Sequence, residues 1–171
     1  VGSVYAQDEI LFGERFTLIP GVRFDDYESQ ADQPGVESNA DSAWSLKLGG
    51  NLRITDWLAL VASYNEAFRA PSISELYVSG VHFTCGPFCQ NLFVPNPDLK
   101  PEKAHNKEIG LRLFKQDLLT GGDVGRFRAA FFRNDVTDFI ERRVTFAFAP
   151  VPGNPGPGGV STSDNVTDAR L

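Results

Sequence analysis

At 171 residues, with 42% apolar, 12% aromatic and 22% charged residues, the chain has a globular composition, and no run in it approaches the ~18 consecutive apolar residues that a transmembrane helix requires. The formal net charge of −6, with 16 basic residues scattered among 22 acidic ones, argues against a nucleic-acid surface, which needs clustered Lys and Arg. The opening Val1-Gly2-Ser3-Val4-Tyr5 has neither the basic nor the apolar region of a secretory signal, as expected where a signal has been removed or the chain is cut from something longer.

In chain order, a weak strand is predicted from Ser3 to about Leu11. From Arg15 to Tyr27 the residues alternate, with Phe16, Leu18, Pro20, Val22 and Phe24 on one side and Arg15, Thr17, Gly21, Arg23 and Asp25 on the other; period 2 is the signature of a two-faced strand. The same period returns from Ala43 to Ile54, where Trp44, Leu46, Leu48, Leu52 and Ile54 oppose Ser45, Lys47, Gly49, Asn51 and Arg53. Trp57 to Phe68 is a further strand, with Leu58, Leu60, Ala62 and Tyr64 on one face. Ala104 to Phe114 sets Ile109, Leu111 and Leu113 against Asn106, Glu108, Gly110 and Arg112. Arg126 to Ile140 completes a set of six, its alternation blurred at Phe131-Phe132.

The connections alternate in length. Phe12 to Glu14 and Thr55-Asp56 are tight turns and Lys115 to Gly125 is of moderate length, whereas Glu28 to Asp41, Arg69 to about Lys103 and Pro150 to Gly159 are long. An up-and-down order puts the long connections at one end of the sheet and the turns at the other, the plan of an outer-membrane barrel with loops outside and turns in the periplasm. Trp44 and Tyr27 near the outer side and Trp57 near the inner are expected in interfacial girdles. A soluble β-sandwich or small closed barrel would alternate too, but a structureless connection as long as that between Phe68 and Ala104 is uncommon in such folds. The expectation is therefore all-β: part of a transmembrane antiparallel up-and-down β-barrel, in contact with the lipid bilayer.

Asn65-Glu66-Ala67-Phe68-Arg69-Ala70-Pro71-Ser72-Ile73-Ser74-Glu75-Leu76-Tyr77 resembles the segment that ends a barrel strand in TonB-dependent receptors, and Asn96-Pro97-Asp98-Leu99-Lys100-Pro101-Glu102 resembles the box that opens the next strand. Gly21-Val22-Arg23-Phe24-Asp25 is similar to the strand upstream, Glu108-Ile109-Gly110-Leu111-Arg112 to the strand after the second box, and Asp138-Phe139-Ile140 to the one beyond. Asn165 to Leu171 is similar to the lead-in of a further strand lying outside this chain. The resemblance covers nearly all of residues 1–171. It implies about six strands of a plugged barrel of roughly 22, without the plug domain or the segment that engages TonB. It also implies a non-enzymatic receptor of the bacterial outer membrane, driven through TonB, with Lys47, Asn51, Arg53, Glu108 and Arg112 lining a wet lumen. A passive porin is the alternative without the two boxes.

Between those boxes lies His82. Haem and haemoglobin receptors in this family carry an iron-ligating histidine in such a position, so the resemblance implies haem, free or from a haemoprotein, as the transported ligand and His82 as its ligand to iron; beside it, the rings of Phe83 and Phe88 are placed to cover a porphyrin face, and Tyr77 is a further candidate contact. The chain has no Met, which leaves His82, His105 and tyrosines such as Tyr77 as axial candidates. Siderophore receptors share versions of both boxes, so a ferric siderophore stands as the alternative cargo. His105, in phase with Ile109 and Leu111, reads as interfacial.

Cys85-Gly86-Pro87-Phe88-Cys89 is one residue too long for a thioredoxin-type motif and lacks the histidine of a c-type haem attachment site. Two cysteines in an oxidising exterior are expected to form a disulfide that narrows the conformations of the loop tip; zinc held with His82 would lack a fourth ligand. Gly153-Asn154-Pro155-Gly156-Pro157-Gly158-Gly159 follows no strand into a helix and is expected to be a flexible external loop. Asp25-Asp26 and Glu141 have no positioned nucleophile and read as solvated strand ends.

Overall fold

A computed structural model describes residues 1–31, 35 and 37–170, with side chains through residue 166. The expected strands are β1 (Gly2–Gln7), β3 (Phe16–Ser29), β4 (Asn39–Arg53), β5 (Leu58–Arg69), β8 (Glu102–Gln116) and β9 (Val124–Val144). A short β2 (Ile10–Phe12) and the hairpin strands β6 (Gly80–Gly86) and β7 (Cys89–Phe93) join them, together with one helix, α1 (Ile73–Tyr77). The expected lead-in is a strand in its own right, β10 (Val160–Arg170); Leu171 lies outside the described residues, as do residues 32–34 and 36 of the Glu28–Asp41 connection.

The ten strands among the described residues form one sheet, in the order β1-β3-β4-β5-β8-β9-β10-β7-β6, with β2 also on β3. From β1 to β10 each neighbour is antiparallel, so the β3–β4, β5–β8 and β9–β10 connections leave one end of the sheet and the short turns leave the other. The predicted strand from Ser3 to Leu11 is broken into β1 and β2 for a local reason. Asp8 N–H donates to Pro20 O across the break, but Pro20 has no N–H to return the bond, so one rung of the ladder is missing.

Register carries each face across the sheet. Leu52, Leu60, Leu111 and Ala129 form one cross-strand row, and Leu46, Leu48, Leu52, Ile109 and Leu111 are all exposed. No second layer covers this apolar face among the described residues. A sandwich would bury it, and a barrel wall turns it to lipid. The opposite face is polar: Thr17, Asn51, Ser63, Glu108, Arg112 and Arg128 line a shallow depression there, and Arg128 pairs with Glu108 at 3.3 Å. The blur at Phe131-Phe132 resolves the same way, since Phe131 sits opposite Ile109 on the apolar face and Phe132 opposite Glu108 on the polar one.

Several expectations need correction, beginning with Asp25, expected at a solvated strand end but buried at 5% exposure and paired with Arg23. Trp44 and Trp57 are exposed as girdle residues would be, but Tyr27 is buried, at 1% exposure. It shares the phase of Arg23 and Asp25, so it lies on the polar face, where its hydroxyl donates to Asn39 Oδ1 at 2.7 Å and its ring packs 5.6 Å from Phe68. The long connection from Phe68 to Ala104 is also not structureless, since it contains α1 and the β6–β7 hairpin. Among the described residues a buried apolar cluster forms where Leu76, Tyr77 and Leu99 of this connection meet Ile140 of β9.

Candidate functional site in the long loop

The loop is anchored by its own two ends. Ser72 caps α1 through a full capping box, its hydroxyl accepting from Glu75 N–H while the Glu75 carboxylate accepts from Ser72 N–H. Arg69, the last residue of β5, donates from Nε to Glu102 at 2.6 Å and from both terminal nitrogens to Glu75 at 3.0 and 3.1 Å. Burial raises the Glu75 pKa, but the Arg69 guanidinium and the Ser72 N–H and hydroxyl outweigh it and hold the carboxyl below its ordinary value. Glu102 also accepts from Ile140 N–H. The first segment thus supplies the cation and the second supplies one of the carboxylates.

A buried tyrosine completes the clip. Tyr77 donates to Ser29 O at 2.7 Å and accepts from Asn39 N–H at 3.0 Å. The Asn39 amide donates to Pro97 O and Leu99 O, and Asn96 N–H donates to Leu76 O. Tyr77, 6% exposed with its hydroxyl satisfied on both sides, therefore occupies the core of the loop base. Asn165 then ties Lys100 to β10 by accepting from its N–H and donating to its carbonyl.

The β6–β7 hairpin rises from this base. His82 sits where the register slips: Val81 faces Leu92 and Phe83 faces Asn91, leaving His82 without a partner across β7. Such a bulge re-aims the side chain that it carries. The imidazole lies 4.3 Å from the Phe93 ring and 5.1 Å from that of Phe83, and its Nδ1 is 2.8 Å from Ser161 Oγ. Arg142 stands 5.1 Å from Phe93. Phe88 is 89% exposed at the tip, between Cys85 and Cys89, which are bonded to each other with Cα atoms 5.0 Å apart. With both sulfurs in that bond, neither thiolate is available to zinc.

The hairpin is docked on the barrel wall. β7 runs parallel to the start of β10, pairing Leu92 with Val160 and Phe93 with Ser161. The fully buried Asn91 donates to Thr145 O at 2.9 Å and Gly158 O at 2.8 Å, while Asn154 donates to Gln90 O and Gly159 O. The glycine-rich stretch expected to be a flexible loop is therefore packed. A Cβ on Gly158 would lie 2.2 Å from Gln90 O and one on Gly159 2.1 Å from Thr145 O, at φ of +125° and +73°, so only glycine permits this approach.

The structure thus brings His82 and Phe83 together and sends Tyr77 to the loop base. It adds Phe93, Asn91 and Ser161, which no local motif marks, because their roles depend on β10 lying beside β7. His105 belongs elsewhere, 3.0 Å from Tyr64 Oη and 3.6 Å from Glu66.

A family model described as "TonB dependent receptor-like, beta-barrel" matches residues 1–171. The chain is 41% identical over 172 residues to Heme/hemopexin utilization protein C of Haemophilus influenzae, covering 94% of this chain and 23% of that protein. It is 34% identical over 175 residues to the hemin receptor of Yersinia enterocolitica, covering 99% and 25%. It therefore spans about a quarter of the length of these curated relatives. Among solved structures, the Serratia marcescens hemophore receptor HasR, in complex with its hemophore HasA and heme, superposes with a TM-score of 0.74 at 19% identity, over 98% of this chain and 30% of that one. The ferric enterobactin receptor of Pseudomonas aeruginosa superposes at 0.68 and 22% identity, over 98% and 22%; at these identities the likeness is one of fold.

Proposed function

Because this chain belongs to the TonB dependent receptor-like β-barrel family, whose barrels are outer-membrane proteins, we propose that it is the loop-bearing part of a receptor that captures haem outside the cell and imports it. The apolar face meets lipid, the polar face lines the lumen and the long loops are extracellular. Import draws on TonB. The role is transport rather than catalysis.

One observation carries this reading: an exposed histidine on a bulge, backed by Phe93 and Phe83 and hydrogen-bonded to a buried serine, in the loop that the Arg69–Glu75–Glu102 clip encloses. A neutral imidazole is a strong axial ligand to haem iron, and apolar rings beside it suit a porphyrin face. Curated relatives named for heme and hemin use support the same cargo. The second axial ligand comes from the rest of the receptor or from a donor haemoprotein. A ferric siderophore is the competing cargo, since siderophore receptors share the fold.

The test is absorbance titration of haemin into the full-length receptor. His82→Ala should weaken binding and shift the Soret band, with expression and assembly intact, and His105→Ala should do neither. An unchanged spectrum and affinity in His82→Ala would end the assignment and leave the siderophore as the better cargo.

A further inference from the structure

We propose that Asn91 and Ser161 fix the tautomer of His82, placing its proton on Nδ1 and its lone pair on Nε2, the nitrogen offered to iron. This rests on the reading of His82 as the haem ligand and adds two positioning residues to it.

The argument is a count of protons along one chain of contacts. The Asn91 amide nitrogen lies 2.9 Å from Thr145 O and 2.8 Å from Gly158 O. Carbonyls only accept, so the amide orientation is fixed and Oδ1 must face the other way. Oδ1 also only accepts, and it lies 2.5 Å from Ser161 Oγ, so the single hydroxyl proton of Ser161 is committed to it. Ser161 Oγ therefore presents a lone pair to His82 Nδ1 at 2.8 Å, and Nδ1 must carry the hydrogen. In the neutral ring the remaining lone pair is then on Nε2.

Burial makes this chain hard to rearrange. Asn91 and Ser161 are both 0% exposed, so water cannot take the place of either partner, and Asn91 is held by carbonyls from the 145–159 connection. The bulge at His82 and the parallel pairing of Phe93 with Ser161 bring the ring to that hydroxyl. Outer partners of this kind hold metal-ligating histidines in one tautomer and orientation, and losing them typically weakens metal binding by about 10- to 100-fold.

The test uses full-length receptor in detergent, with haemin as the probe, and a double-mutant cycle. Ser161→Ala should weaken haemin binding about 10-fold or more and move the Soret band while His82 is present, and should change little in the His82→Ala background. In the Ser161→Ala receptor, His82→Nδ1-methylhistidine forces the lone pair onto Nε2 and should restore binding to within a few fold of the parent. Equal losses from Ser161→Ala with and without His82 would show that Ser161 merely holds the loop, and would overturn the relay. So would failure of the methylated ring to restore binding while the amides of Leu92 and Val94, which donate to Gly159 O and Ser161 O, stay protected from exchange. If His82→Ala alone leaves haemin binding unchanged, the ligand reading itself fails and the relay falls with it; if His82→Ala abolishes binding and Ser161→Ala is silent, only the relay fails.

Discussion

Placing Arg at Leu48 tests the orientation of the whole sheet. Leu48 lies on the apolar face, 47% exposed, opposite Pro20 on one side and Tyr64 on the other. A strand rising about 3.3 Å per residue at a tilt near 40° advances about 2.5 Å along the membrane normal. Leu48 is then about 10 Å inside the level of Trp44, close to the middle of an apolar band about 25 Å tall. Leu60 lies only about 8 Å inside the level of Trp57 by the same reckoning. An Arg near the midplane costs about 2–4 kcal/mol, about a 30- to 700-fold loss in the folding constant, and the cost falls toward the interfaces. Leu48→Arg should therefore show most of that penalty and Leu60→Arg less, while Asn51→Arg, on the polar face, should show little. Equilibrium refolding of the full receptor into lipid vesicles from urea measures all three. Equal tolerance of Leu48→Arg and Asn51→Arg would refute the lipid-facing assignment.

The disulfide predicts that thiol labelling of Cys85 and Cys89 in receptor isolated from outer membrane fails until a reductant is added, and that replacing both by Ser loosens the hairpin tip without harming barrel assembly; labelling of either cysteine in unreduced receptor would count against it. Removing the guanidinium by Arg69→Ala should cost roughly 1–2 kcal/mol of local stability, given that Arg69 is itself half exposed, and is read as faster hydrogen exchange at Ser72 and Ile140, whose N–H groups bind the two carboxylates. The same clip should respond to acid: the Glu75 pKa is lowered by folding from 4.5, so its contribution is complete above about that pH and is lost as the pH falls through the lower folded value. Ser72 protection, corrected for intrinsic rates, should be flat from neutral pH to about 5 and decline below 4.5; loss of protection on raising the pH would contradict the sign.

The barrel wall was legible because a half-exposed strand writes its two faces into alternate residues, and β3, β4, β5 and β8 do so with little interruption. For Tyr27 aromatic type points to a girdle, whereas its parity with Asp25 points to the polar side, and phase is the stronger signal in a strand. The two family segments marked the ends of the long loop, and Arg69 and Glu102 show why both are needed, yet nothing local announces the hairpin between them. β7 acquires its place from β10, nearly 70 positions away, and such pairing leaves no period in the sequence. The same is true of Gly158 and Gly159, since a glycine that lets backbone approach backbone and a glycine that lets a loop wander are the same letter. The resemblance reaches β10 only from Asn165 onward, and Val160 to Asp164 before it show no alternation of apolar and polar residues.

The place of the two family-like segments in the fold also bears on the cargo. Arg69, Glu75, Tyr77, Pro97, Leu99 and Glu102 are spent on closing the loop base, so the segments that identify the family describe an anchor and carry no preference between haem and a siderophore. The hairpin above carries the proposed ligand, His82. There the proposed ligand is not left on a free loop: the bulge aims it, the Cys85–Cys89 bridge closes the tip below Phe88, and Asn91 and Ser161 tie its ring to the barrel wall. A histidine on a loose loop would have to be ordered each time it met iron, at a cost in side-chain and loop entropy of about 0.5–1.5 kcal/mol for each group immobilised. Docking β7 on β10 spends that cost during folding, which leaves the imidazole preorganised for an incoming ligand.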